Sequence, residues 1–159
     1  VPAGHTTLLG AHGGVGKGWL ALMLGVCVAQ GLPLFGIPTR RGRVAIYSAE
    51  DSADLVRYRL RLVCRGLGVD PADLADRLHV LDATGGDPVL FHEIGAGSRR
   101  EGATTPALAA LSDYVAAHAI DLVVIDNASD VFDASEIDRA KVRAFMRALA
   151  RLARLRGAS

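Results

Sequence analysis

The sequence predicts an α/β fold in which a mostly parallel sheet is flanked by helices. Three observations point to it. Short apolar runs with strand character alternate with longer stretches of helical period. The runs within Arg43-Val-Ala-Ile-Tyr-Ser-Ala49 and Asp121-Leu-Val-Val-Ile-Asp126 are apolar at successive positions, as strands covered on both faces are. Between a strand-like and a helix-like segment stands the glycine-rich run Gly10-Ala-His-Gly-Gly-Val-Gly16-Lys17, and the order strand, helix, strand belongs to sheets covered on two sides.

The elements follow in order. Thr6-Thr7-Leu8-Leu9 reads as a short buried strand and Trp19 to Ala29 as a helix. Residues 31–42, with Pro33, Gly36 and Pro38, form a turn-rich connection. A strand over 43–49 ends in Glu50-Asp51-Ser52, which caps a helix of about 53–67 carrying Val56, Leu60, Val63 and Leu67 at helical spacing. Pro71-Ala-Asp-Leu is a helical turn and Arg77-Leu-His-Val-Leu-Asp-Ala83 a strand. Residues 84–103 have no clear period and read as a long loop, of the kind that is functional or mobile. Helix returns at about 104–118, strand at 121–126, and a last helix runs from about 136 to 156. Ligands of such folds sit at the carboxyl ends of the strands, where the glycine run, Glu50-Asp51 and Asp126 all fall.

Bulk properties narrow the function classes. With 159 residues, half of them apolar, the chain can bury one core. A net charge of +1 names no partner, so a nucleic-acid surface needs a local basic patch. Cys27 and Cys64 fall in apolar helical patterns and read as buried free thiols of a reducing, cytoplasmic setting; no Cys/His cluster points to zinc. The apolar stretch after Lys17 is interrupted by Gly25 and Gln30, which makes it a core helix and not a membrane span. Val1 at the start and Gly157-Ala-Ser159 directly after a helix read as cut ends of a longer protein.

The chemistry concentrates in three places. Gly10 to Lys17 has the G-x-x-x-x-G-K spacing of a phosphate-binding P-loop: glycines let backbone N–H groups curl toward a phosphate, the helix N-terminus adds partial charge, and Lys17 a full one. The motif calls for Ser or Thr next, as a Mg²⁺ ligand, and the residue is Gly18. Either water takes the vacant coordination position, or the site binds nucleotide with impaired Mg²⁺ and little turnover. Asp126 closes an apolar strand in the pattern that holds Mg²⁺, usually through water. Its neighbour is Asn127, so the candidate general base is Glu50, which can also serve only as part of the helix cap. His12, inside the loop, is expected to face solvent, and Asp130 and Asp133 to lie in a solvated loop.

Arg139, Arg143, Arg147, Arg151 and Arg154 share one face of the last helix, opposite Val142, Phe145, Met146, Leu149 and Leu152. That face is either an ordinary solvated one or a surface for nucleic acid or a neighbouring subunit, and Arg99-Arg100 is a second candidate phosphate contact.

Taken in order, Gly10–Lys17, Tyr47-Ser-Ala-Glu50-Asp51 and Leu122-Val-Val-Ile-Asp126 resemble the RecA-like AAA-family P-loop ATPases typified by the hexameric RepA helicase of broad-host-range plasmids. Arg77-Leu-His-Val-Leu-Asp with the Asp-Pro-Val-Leu-Phe of 87–91, and Asp126-Asn-Ala-Ser-Asp130, add to the likeness, which spans 1–159 as one ATPase core. The resemblance implies ATP and Mg²⁺ as cofactors, with Ala11, His12, Gly13, Gly14, Val15, Gly16, Lys17, Gly18 and Trp19 around the nucleotide. It implies Lys17 and Glu50 as catalytic residues, Asp126 as the Walker B aspartate, a ring of identical subunits with nucleotide between neighbours, and DNA as partner. The family continues into another strand ending in a polar sensor, which these 159 residues lack, so the core is expected to be truncated at its C-terminus. The resemblance thus makes the chain an ATP-hydrolysing domain of a ring-forming DNA helicase or replication motor. The alternative is a nucleotide-binding regulatory or assembly module with little turnover, because of Gly18.

Overall fold

A computed structural model of the chain describes residues 1–12, 14–95 and 101–154. Gly13, Arg99, Arg100 and the segment 155–159, each part of an expectation above, lie outside the described residues. The chain divides into two compact units, one formed by Leu8–Gly85 with Ile120–Asp126, the other by Val1–Thr7, Gly86–Ala119 and Asn127–Ser159.

The first unit holds the parallel sheet. Helix α1 (Lys17–Gln30) is followed by β1 (Val44–Ser48), α2 (Ala53–Leu67), a 3₁₀ turn at Pro71–Leu74, β2 (Leu78–Asp82) and, after a long excursion, β5 (Leu122–Asp126). Strand order is β2-β1-β5, all parallel, with Val44 opposite Leu78 and Leu122, and Ser48 opposite Asp82 and Asp126. Central β1 is buried along all five residues, as its unbroken apolar run requires. Its Val44 and Ile46 pack with Leu22, Val26 and Ala29 of α1 and Val56, Leu60 and Val63 of α2. Both helices stop at glycines in left-handed backbone, Gly31 (φ 72°) and Gly68 (φ 67°), whose N–H groups close the last turns.

Two expectations fail in this unit. No strand forms over 6–9, and Leu8 and Leu9 are 70% and 51% exposed. A strand this short is held only by its ladder and the face it buries, and two leucines before a glycine supply neither alone. Nor does Ser52 of the Glu50-Asp51-Ser52 triplet cap α2 through its side chain: it is the N-cap by position but makes no side-chain cap bond. The first N–H, of Ala53, instead donates to Asp82 Oδ2 at the end of β2 (2.7 Å).

The second unit has its own sheet, which local pattern did not predict. β3 (Phe91–Ile94) pairs antiparallel with β4 (Glu101–Thr104) and parallel with β6 (Phe132–Asp133). Two parts of the stretch read as a long loop, 91–94 and 101–103, are therefore paired strand. Its strands are four residues long and rich in Gly, His and Glu, so pairing is decided by the partner and not by local propensity. The core is a cluster of three rings, Phe91, Phe132 and Phe145, with centroids 5.1–5.7 Å apart. Helix α3 (Pro106–Ala117) starts at Thr105, whose hydroxyl accepts from the Leu108 N–H.

A short α4 (Ala128–Val131) contains Asp130, and Asp133 ends β6, so neither lies in the solvated loop expected for them. Helix α5 (Arg139–Arg154) begins where the Asp138 carboxylate accepts from the N–H groups of Ala140 and Lys141. Lys141 reaches Glu93 of β3 at 2.7 Å, and Phe145, Ala148 and Leu152 face the core.

Candidate functional site

The site is built on the carboxyl edge of the parallel sheet, entirely within the first unit. Gly14 (φ 75°) and Gly16 (φ 91°) both occupy left-handed backbone. A Cβ at either would meet nothing within 4 Å, so conformation and not crowding demands glycine there. Two such residues around Val15 turn the chain into α1. That helix opens with no side-chain cap and no acidic residue in its first turn, which leaves its N–H groups for an external anion.

Lys17 folds back over its own loop, its ammonium donating to the carbonyl oxygens of Ala11 (2.8 Å) and His12 (2.9 Å). Those neutral acceptors hold the charge at the mouth of the loop. An anion arriving there offers a stronger, charge-assisted bond.

Gly18 lies directly beside Asp126. A Cβ on it would stand 3.1 Å from Asp126 Oδ2, closer than an ordinary contact, so the absence of a side chain lets the carboxylate lie against the first turn of α1. The register of β1 with β5 places Ser48 opposite Asp126, and the Ala49 N–H donates to the Asp126 carbonyl (2.8 Å), which extends the pairing to the residue before Glu50. The buried Ser48 hydroxyl donates to the Asp51 carbonyl (2.6 Å) and pins the turn that carries Glu50 and Asp51.

Asp126 feels its two acidic neighbours. Burial raises the Asp126 carboxyl above its usual range, and the charges of Glu50 and Asp51 push it further; Arg59 and Lys17 oppose them. Asp51 is ion-paired with Arg59 of α2. Arg59 was not among the residues singled out from sequence. The only signal available was a cation in the second turn of a helix that begins at an acidic triplet, and α2 carries several arginines.

Among the described residues no group of three His, Cys, Asp or Glu could by itself hold a metal ion. That donor set still fits Mg²⁺, which takes one or two carboxylates, keeps water, and completes its shell with substrate phosphate. Asp126 would be the hard oxygen ligand of such an ion; burial and its acidic neighbours destabilise it as an anion, and Gly18 packs close beside it.

The structure thus brings together the loop residues Ala11, His12, Gly14, Val15 and Gly16 with Lys17, Gly18 and Asp126, and Glu50 follows β1 on the same edge. His12 is exposed, as expected, and Trp19 is exposed on the first turn of α1. Cys27 and Cys64 are free and buried in the core, and burial raises both thiols. No described helix is long and apolar enough to cross a membrane.

Comparison with known proteins gives one match: a family model described as an AAA domain covers residues 1–159. No curated protein and no solved structure matches the chain.

Proposed function

The chain belongs to the AAA domain family, whose members are nucleotide-binding ATPases, and from that premise we propose that it binds ATP with Mg²⁺ on the loop from Gly10 to Lys17 and hydrolyses it. The observation that carries this reading is the closeness of Gly18 to Asp126: a Cβ on Gly18 would stand 3.1 Å from Oδ2, so that the residue after the loop lysine lies against the candidate metal carboxylate.

In the proposed mechanism Lys17 exchanges the carbonyls of Ala11 and His12 for the outer phosphates, while the first N–H groups of α1 hold the inner ones. Mg²⁺, when bound, neutralises charge developing on the phosphates. Asp126 supplies its protein ligand. Glu50 orients the attacking water and accepts its proton, and the Arg59–Asp51 pair keeps the neighbouring carboxylate from competing for that role.

By the resemblance to the RepA helicase group, the whole protein is proposed to act as a ring-forming helicase or replication motor on DNA, in the cytoplasm, with the matched segment forming one ATPase core. A second reading, a nucleotide-binding regulatory or assembly module with little turnover, is favoured by Gly18, which offers no hydroxyl to the metal.

The deciding measurement is ATP affinity with and without Mg²⁺, followed on the single tryptophan, Trp19. Tightening by Mg²⁺ supports the ATPase, and binding indifferent to Mg²⁺ supports the module. Absence of binding, or a Lys17→Ala protein that binds like the wild type, would sink both.

A further inference from the structure

The connection from α1 to β1 ends in a turn that is costly in two ways. Leu34 and Ile37 exchange both backbone hydrogen bonds, 2.9 Å each, across two central residues. These, Phe35 (φ 50°) and Gly36 (φ 80°), stand in left-handed backbone, as a type I′ turn requires. Asn or Gly suits the first of the two positions, and a bulky aromatic residue is strained there. Phe35 is nevertheless 74% exposed and Ile37 69%, with Pro33 and Pro38 also in solvent. Strain and exposed apolar surface thus coincide at one tip, and no packing within the chain accounts for either.

The base of the same connection is tied down. The Leu32 N–H donates to the Cys27 carbonyl (2.8 Å) and the Gly42 N–H to the Val28 carbonyl (3.0 Å). The Thr39 hydroxyl lies within hydrogen-bond distance of the carbonyls of Leu32 (2.8 Å) and Cys27 (3.0 Å), and Arg41 Nε donates to the Ala29 carbonyl (3.4 Å). The end of α1 and the start of β1 therefore hold the turn out as a post at the amino edge of the parallel sheet, opposite the edge of Lys17 and Asp126. From Gly31 to Ala49 the chain has Arg40, Arg41 and Arg43, all exposed, and no acidic residue. Among the described residues neither Arg40 nor Arg41 meets a carboxylate. Asp121 packs against Gly42 and accepts from the Arg43 N–H (2.8 Å).

We propose that this turn docks the protein on an anionic lipid surface, with Phe35 and Ile37 entering the boundary between headgroups and acyl chains and Arg40 and Arg41 meeting lipid phosphates. A convex apolar tip needs no complementary pocket in a bilayer. Interfacial binding grows with the apolar area buried and with attraction to anionic lipid, and the post offers both together. Arginine stems lie along an apolar boundary while their guanidiniums stay at phosphate level. A nucleic-acid strand would use the arginines and leave Ile37 and the two prolines without anything to stack on. The tip shares no residue with the nucleotide site, so the proposal goes beyond the ATP reading and stands without it.

The test is co-sedimentation of the intact protein with vesicles of phosphatidylcholine, alone or mixed with phosphatidylglycerol. The mixed vesicles should bind, and phosphatidylcholine alone should bind at least about fivefold more weakly. Phe35→Asn suits the left-handed position and removes the ring, so it should raise the melting temperature and yet weaken vesicle binding about tenfold. Arg40→Gln should weaken binding about fivefold at low salt and lose that effect at high salt. Phe35→Trp should shift its emission to the blue on the mixed vesicles. The wild type should not, since its single tryptophan, Trp19, lies on the opposite edge. The proposal is overturned if the mixed vesicles do not bind, if Phe35→Asn or Arg40→Gln binds them like the wild type, or if the wild-type emission shifts as far as that of Phe35→Trp. A lower melting temperature in Phe35→Asn would make the ring a structural residue and overturn it as well. Self-association without lipid that Phe35→Asn abolishes would assign the tip to a second copy of the chain. Binding of a DNA duplex that Phe35→Asn weakens as much as it weakens vesicle binding would assign the tip to DNA, and either result overturns the lipid surface.

Discussion

Asp126 shows at a single residue how a buried carboxylate beside acidic neighbours costs stability. Its folded pKa is raised, chiefly by burial and then by Glu50 and Asp51, so the folded chain holds that proton more tightly than the unfolded one. Its contribution is therefore fully present below the ordinary carboxyl range and is lost as pH rises through the raised value. At neutral pH the ionised group is a net cost. Asp126→Asn is expected to raise the melting temperature of the ligand-free protein at pH 7, with the gain shrinking in acid, while Mg²⁺ ceases to tighten ATP binding. An unchanged melting temperature would remove burial as the dominant cause. Gly18→Ser tests the neighbouring position: its Cβ needs Asp126 to yield by a few tenths of an ångström, and its hydroxyl then lies beside that carboxylate. Hydrolysis that rises in this variant identifies a silenced enzyme, whereas a fall shows that the space beside Asp126 is used as it stands. Lys17, Gly18, Glu50 and Asp126 were all legible in the sequence, because each occupies a motif position or a strand end. Their convergence on one sheet edge was legible too, because all fall at strand carboxyl ends; the pairing of Ser48 with Asp126 was not, since it depends on the register of β1 against β5, nor was the Arg59–Asp51 pair among several arginines of one helix.

The elements differ in how far their own residues determine them. β1, β2, β5 and α2 are continuous apolar runs or helical periods bounded by glycine or acidic residues, and they form close to where their sequences place them. β3 and β4 have no such pattern; they exist because Phe91 stacks with Phe132 and Phe145, and because Gly102 lets β4 close over that ring. Gly102→Ala should consequently cost about 1–3 kcal/mol, the penalty of overpacking a filled core. Gly66→Ala is the matched control. It lies in α2, exposed, with nothing within 4 Å of the added methyl, and should gain about 1 kcal/mol of helix propensity. Denaturant midpoints moving in opposite directions would confirm that one glycine is demanded by contact and the other is not. The predicted strand over 6–9 makes the same point from the other side, since two leucines without a ladder or a covering face remain in solvent. The replacement of the predicted Glu50-Asp51-Ser52 cap by Asp82 shows that a helix N-terminus takes the nearest acceptor in space, here from the end of the adjacent strand.

At the scale of the whole molecule, the parallel sheet and the candidate ATP site fall in one compact unit and the small sheet in the other. Each unit has its own apolar centre, the α1–β1–α2 cluster in the first and the three phenylalanines in the second. A ligand that binds only folded protein stabilises whatever unfolds with its site, by about 2.7 kcal/mol at a hundred times its dissociation constant. If ATP occupies the Gly10–Lys17 loop, hydrogen exchange should slow most across 17–30, 44–67 and 122–126, whose amides are protected by the elements that carry the site. Amides of β3, β4 and α5 belong to the other unit and should respond less, so that the difference between the two sets measures how far the units open separately. Equal slowing in both would mean that they unfold as one cooperative body, so that nucleotide in the first unit would stabilise the second through folding free energy alone.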